Sequence, residues 1–290
     1  MSSDSPVDPD ATAAAITGVI ERDPGGRGLA HWAAAGQVLE AAHSLLDANR
    51  VVITTGFYIL RGGAIETDGP LGAVQLANAL VCLGKEVVLA VDDHAGRIIS
   101  AIAGDLPVIT LPPGDSEELR RLITPETTHL VAVERPGRAA NGGYYNMRGD
   151  ELSEHVAAMD ELFLPPRREY VTIAIGDGGN ELGMAAVSEK IRLHVPNGER
   201  ISCRTPADLC IYAGVSNWGA YGLCAMLSVL TGCCLLPKPS QIIEMLESLV
   251  AAGAVDGVLL SRTMTVDGLP PEYERETVQR LRELTGAWDG

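Results

Sequence analysis

A chain of 290 residues in which 46% are hydrophobic carries enough apolar side chain for a sizeable core, which excludes global disorder. Its formal net charge of -16 and pI near 4.7 disfavour nucleic acid and anionic membrane surfaces as partners. Aromatic residues are only 4% of the chain, so the core has to be built from Ala, Val, Leu and Ile.

Residues 1–10, MSSDSPVDPD, read as a disordered tail with neither signal-peptide nor transit-peptide character, and residues 11–290 as a single α/β domain. Helices are predicted near 11–22 and 30–48, ahead of a first strand at Val51-Val52-Ile53. A helix over 72–83 follows the turn signal Asp68-Gly69-Pro70 and stops at Gly84. Apolar, β-branched runs then recur at 86–91, 107–110, 129–133, 171–175, 209–212 and 255–259. Helices are predicted at 115–123, 150–162, 179–190, 217–230, 240–252 and 271–285. The runs are near-continuously apolar, as strands covered on both faces are. Their alternation with helices predicts a doubly wound, mostly parallel sheet with helices on both faces, a three-layer α/β domain.

No uncharged apolar stretch reaches the roughly 18 residues of a membrane span. The six cysteines form no C-x-x-C pair and are read as buried, reduced thiols of a cytoplasmic protein.

In open α/β sheets, ligands bind beyond the carboxyl ends of the strands. The chemistry-bearing residues of this chain fall there. Thr54-Thr55-Gly56-Phe57, Arg61 and Glu66-Thr67-Asp68-Gly69 follow the first strand. Asp92-Asp93-His94 follow the second, and Glu134-Arg135-Pro136-Gly137 with Asn146-Met147-Arg148 follow the fourth. Gly176-Asp177-Gly178-Gly179-Asn180-Glu181 follow the fifth, and Ser216-Asn217-Trp218 the sixth. The G-D-G-G-N-E hexad is the sharpest motif. If a helix opens at Asn180, Asp177 and Glu181 lie four apart on its first turn and can share a divalent cation. The alternative is purely structural, with Asp177 or Asn180 as an N-cap and Glu181 complementing the helix dipole. No G-x-G-x-x-G, Walker loop or zinc spacing is present, so no nucleotide cofactor is expected. The hexad is also similar to the fourth motif of haloacid-dehalogenase-type phosphatases, but the D-x-D nucleophile of those enzymes is missing from the first strand.

Across these loops the sequence resembles the D-glutamate cyclase-like C-terminal domain family. The resemblance runs through Thr54 to Phe57, Glu66 to Gly72, Asp92-Asp93, Glu134 to Gly137, Tyr144 to Gly149, Gly176 to Met184 and Ser216 to Tyr221. It implies a lyase that converts D-glutamate to 5-oxo-D-proline with loss of water, acting on a small anionic substrate. In that chemistry Arg61, Arg135 or Arg148 would hold the α-carboxylate, and the Gly178 and Gly179 amides would meet the oxyanion. Asp177 would take the ammonium proton. Glu134 or Glu181 would protonate the departing oxygen, with Asp92 a further catalytic candidate. Mg²⁺ or Mn²⁺ on Asp177 and Glu181 would replace that acid. Thr55, Gly56, Asp68, Gly69, Asn146, Asn180, Ser216 and Asn217 complete the expected substrate-binding set. Two other functions stay open, a non-catalytic small-anion or amino-acid binding module and a metal-dependent phosphatase-like hydrolase. Homo-oligomerisation stays open as well.

Overall fold

In the computed structural model, which describes residues 8–26, 28, 35–165 and 169–286, six of the seven apolar runs become strands of one sheet. The chain enters through helices α1 (Pro9–Ile20) and α2 (Ala35–Leu46) and reaches β1 (Arg50–Thr55). A small hairpin, β2 (Tyr58–Ile59) and β3 (Ala64–Ile65), precedes α3 (Pro70–Cys82) and β4 (Glu86–Asp92). There follow α4 (Gly96–Ala103), β5 (Val108–Leu111), α5 (Glu117–Arg121) and β6 (Thr127–Val133), then α6 (Asp160–Phe163) and β7 (Val171–Gly176). The last part holds α7 (Ser188–His194), α8 (Gly198–Ile201), β8 (Leu209–Tyr212), α9 (Ser216–Thr231), α10 (Pro239–Ala252) and α11 (Glu272–Thr285).

The sheet is parallel throughout, in the order β5-β4-β1-β6-β7-β8. The chain builds outward from β1 to one edge, then returns to lay β6 on the other side of β1. The expected three-layer α/β architecture is therefore observed. Along each strand the pleat sends alternate residues to opposite layers. Val51, Ile53, Leu89, Val91, Val131, Val133, Ile173 and Ile175 face the larger helical layer, with buried residues of α1, α2, α3, α9, α10 and α11. Val52, Ala90, Leu130 and Ala132 face a thinner layer with Leu119, Met159 and Phe163. Ala174, Cys210 and Tyr212 pack with Val187, Ile191 and Ile201 from the α7–α8 region. No helix among the described residues is long and apolar enough to cross a membrane.

Several expectations are corrected here. Residues 8–10 belong to α1 and its Asp8 cap rather than to a tail, while the rest of that segment lies outside the described residues. The run at 255–259 is no strand. Only Val255 bridges, to Glu66, because the Asp256 carboxylate accepts the amides of Val258 and Leu259 at 2.8 and 2.7 Å and turns the chain. The helix expected over 150–162 shrinks to α6, since the preceding segment makes only a short 3-10 turn at Ser153–His155 and is otherwise tied to loops at the strand ends. There the Leu152 amide donates to Tyr144 O and the Ala157 amide to Asp92 Oδ1, at 2.8 and 2.7 Å. The helix expected over 179–190 is replaced by a loop with a short 3-10 turn, and α7 starts only at Ser188. The backbone forbids the earlier start: Gly179 and Gly183 sit at φ +92° and +94°. All six cysteines are free, but only Cys203, Cys210 and Cys224 are buried, whereas Cys82, Cys233 and Cys234 are exposed.

Candidate active site

Because β1 and β6 are neighbours whose chains leave in opposite directions, a crevice opens at their carboxyl ends. Three buried carboxylates meet there. One oxygen from each of Asp68, Glu134 and Asp177 lies within 4.8 Å of the others. They come from the loops after β1, β6 and β7.

Asp68 is positioned by two helices that cap each other. Its carboxylate accepts the Ser216 and Asn217 amides at the N-terminus of α9, at 2.9 and 2.8 Å. In return Asn217 Oδ1 accepts the Gly69 and Gly72 amides at the N-terminus of α3, at 3.0 and 2.8 Å. Neither helix has a side-chain cap from its own N-cap residue, Gly69 or Val215. Each therefore borrows the polar group that the other supplies, satisfying amides that would be orphaned. Gly69 is required at the junction. It holds φ +93°, and a Cβ there would stand 2.5 Å from Glu134 Cβ.

Glu134 takes a left-handed conformation, φ +45°, unusual for a side-chain-bearing residue and of the strained kind that clusters at functional sites. Ser216 Oγ donates to its Oε2 at 2.6 Å. Burial, then the nearby charges of Glu181, Asp68 and Glu66, pushes the Glu134 carboxyl well above its ordinary range, against the pull of the Ser216 hydrogen bond. These surroundings favour the protonated form of Glu134 over the carboxylate.

The hexad loop behaves differently from expectation. Glu181 folds back so that Oε1 accepts the Gly178 amide and Oε2 the Gly179 amide, at 2.7 and 2.6 Å. Those amides are thus taken by a carboxylate, and Glu181 is absent from the three-carboxylate cluster to which Asp177 belongs. It still lines the cavity and repels Glu134. Asn180 is buried and donates to Tyr145 O at 2.9 Å, tying this loop to the Asn146–Arg148 loop. Asn146 Oδ1 in turn accepts the Arg148 and Asp150 amides, at 2.9 and 3.0 Å.

The expected arginines separate. Arg135 is buried and committed: Nη2 donates to Asp92 Oδ1 at 2.6 Å, Nη1 to Asp92 Oδ2, and further bonds reach the Ala157 and Gly56 carbonyls. Burial opposes its charge, but Asp92 outweighs burial and raises the guanidinium above its ordinary value. Asp92 and Arg135 are therefore a scaffold pair outside the cavity wall, as is Gly56. Arg61 is exposed on the β2–β3 turn and does not line the cavity. Arg148 does, and its Nη1 and Nη2 rest on the Gly257 and Val258 carbonyls at 3.3 Å. Thr55 is buried, its hydroxyl directed at Gly69. His94 turns away into a ring cluster, 4.5 Å from Tyr58 between centroids.

The cavity has a volume of about 240 Å³. Phe57, Ile59 and Met147 form its apolar wall, and carboxylates of Glu66, Glu134, Asp177, Glu181 and Asp267 its acidic one. Glu66 and Asp267 escaped the residue-by-residue sequence reading. Glu66 lies beside Asp68 in a stretch already marked. Asp267 carried only an Asp-Gly turn signal, a sign of local geometry rather than of chemistry.

Residues 16–282 match the family model described as D-glutamate cyclase-like, C-terminal. The chain belongs to the D-glutamate cyclase-like family. A human protein named D-glutamate cyclase, mitochondrial is 35% identical, aligned over 94% of this chain and 52% of its own length. The chain thus spans about half the length of that curated relative. Among solved structures, exonuclease RecJ bound to manganese is 14% identical with a TM-score of 0.39, covering 85% of this chain and 47% of that one. An exopolyphosphatase-related protein from Bacteroides fragilis is 11% identical with a TM-score of 0.41, covering 89% and 62%.

Proposed function

We propose that this member of the D-glutamate cyclase-like family closes D-glutamate to 5-oxo-D-proline in the cavity between the β1, β6 and β7 loops. One observation carries the reading beyond family membership: the cavity is small and electrically polarised. Its volume, about 240 Å³, is below the roughly 300–1,000 Å³ of sites for drug-sized ligands. Among the described residues that line it, Arg148 is the one cation, and carboxylates occupy the opposite role. A small amino dicarboxylic acid has the matching groups, an ammonium for the acidic wall and an α-carboxylate for the guanidinium.

In the reaction the nitrogen bonds to the γ-carboxyl carbon and a C–O bond breaks. The two protons that the ammonium sheds are the two that the departing oxygen needs to leave as water. Asp177, buried at the floor, takes the proton that frees the amine. Glu134, whose Oε1 is left free to carry a proton by the Ser216 hydroxyl on Oε2, gives one to the oxygen. It takes up the second proton the nitrogen sheds once the C–N bond has formed, and Asp177 returns the first as the oxygen leaves as water. Since the attack is intramolecular, holding the curled substrate between Arg148 and the acidic wall supplies much of the acceleration.

The donor set also fits a hard divalent cation. Asp68, Glu134 and Asp177 offer only carboxylate oxygens, close enough for one ion, as Mg²⁺ or Mn²⁺ requires. Such an ion would polarise the γ-carboxyl group and relieve the mutual repulsion that otherwise keeps a proton on Glu134.

Purified protein incubated with D- and L-glutamate, with and without Mg²⁺ or Mn²⁺, is expected to release 5-oxoproline from the D-isomer. Saturable binding without product would instead establish a binding module. Phosphate release from sugar phosphates would establish a hydrolase.

A further inference from the structure

Beyond the cavity wall, we infer that Glu274 is a positioning residue: from α11 it holds, through Trp218 and Tyr221, the first turn of α9 that delivers Ser216 and Asn217 to the site. Trp218 and Tyr221 stand three residues apart, so they share one face of the helix. Both are fully buried. Trp218 Nε1 donates to Glu274 Oε1 at 2.5 Å, and Tyr221 Oη donates to Oε2 at 2.9 Å. Glu274 itself is 2% exposed.

The same turn of α9 carries the contacts on which the three-carboxylate cluster depends. The Ser216 hydroxyl binds Glu134, and the Ser216 and Asn217 amides bind Asp68. Any shift of that turn moves all three together. Apolar side chains would pack α9 on α11 at lower cost than a buried acid does. The acid does what they cannot. An indole N–H donates only, and a carboxyl group presents two oxygens at a fixed separation to serve it and a phenol together.

Burial first, then Asp68, pushes Glu274 up to about 8, against the hydrogen bonds of Trp218 and Tyr221, with Asp267 adding to the rise. The titratable and charged groups around it are Tyr221 on α9, Asp68 ahead of α3, Asp267 ahead of α11, and Arg22, which lies 5.1 Å from the Trp218 ring. That rise favours the neutral acid over the carboxylate. Ionised, it places a second negative charge behind Asp68 in a space closed to water, so the α9–α11 seam has to admit solvent and the first turn of α9 loosens.

The test uses the full chain with Trp32→Phe and Trp288→Phe, which leaves Trp218 as the sole tryptophan of the three. Its fluorescence is expected to show a transition at a pH of about 8, where Glu274 ionises, absent in Glu274→Gln. This arm is independent of any activity. The kinetic arm rests on the cyclase reading. Glu274→Ala is expected to lower kcat on the order of 10²-fold, the scale of a small misplacement remote from the chemistry, with KM little changed. Glu274→Gln is expected to restore kcat at neutral pH and to remove the alkaline decline in kcat that ionisation of Glu274 is expected to cause in the wild type above a pH of about 8. Should Glu274→Ala fail to fold, Tyr221→Phe deletes one of the two tethers and is read in the same way. No fluorescence transition, or an alkaline decline that persists in Glu274→Gln, overturns the inference. Wild-type protein without turnover defeats the cyclase reading alone, and the fluorescence transition then decides for or against Glu274.

Discussion

One buried acid and a cluster of three lie at the ends of neighbouring strands and meet opposite surroundings. Asp92, at the end of β4, is neutralised by the bidentate guanidinium of Arg135 and by the Ala157 amide. Asp68, Glu134 and Asp177 converge on one another, with Glu181 and Glu66 close enough to add to the repulsion on Glu134. A paired charge in the interior holds segments in place, and removing one partner is costly. Like charges gathered in the interior raise a proton affinity or call for a cation, which is what chemistry uses. Burial is equal in the two places, so the identity of the neighbours separates scaffold from site.

This contrast is open to direct attack. Replacing Asp177 with Asn is expected to lower turnover by about 10²–10⁴-fold, the usual contribution of a positioned acid or base, with melting temperature held or raised. A matching loss of stability would merge the two groups and break the comparison. Asp92→Ala is expected to do the reverse, costing about 3–5 kcal/mol of unfolding free energy in urea because Arg135 is left buried without its counter-charge. A cost below about 1 kcal/mol, the level of a surface pair, would deny it a scaffold role. Arg148→Gln is expected to raise KM by about 10–100-fold, the equivalent of a hydrogen bond to a charged group, with stability changed by less than about 0.5 kcal/mol. An unchanged KM would remove Arg148 from substrate binding.

The subtlest effect is a slope. Glu134 has a folded-state pKa raised above its ordinary 4.5, so its stabilising contribution is complete below that value and is lost as pH rises through the folded pKa. In chelator, Glu134→Gln is expected to flatten the fall of stability with pH above the carboxylate range. Parallel curves for the variant and wild type would mean that Glu134 is already ionised.

Much of this was legible along the chain. The apolar runs at Val51, Val87, Val108, Leu130, Val171 and Leu209 mark the strands because a sheet covered on both faces favours apolar side chains at successive positions. The rule that ligands meet the carboxyl ends of strands then located Asp68, Glu134, Asp177 and Ser216. The hexad was misjudged for a local reason. Asp177 and Glu181 at four-residue spacing imply a shared helical face only if a helix is there, and Glu181 instead spends both oxygens on the two glycine amides. Arg61, Arg135 and Arg148 were equivalent as residue types. What each guanidinium meets distinguishes them, and Asp92 is 43 residues from Arg135 in sequence.

By itself, then, the sequence determined the layers, the strands and the end of the sheet at which the carboxylates gather, since these follow from hydrophobic periodicity and glycine placement within short windows. The tertiary structure decided which acids are neutralised and which repel. It also decided that Asp68 and Asn217, 149 residues apart, cap one another's helices, and that Glu274 stands behind them. Charge–charge and capping interactions act over a few ångströms of space between loops remote in the chain, and no spacing along the chain encodes that distance.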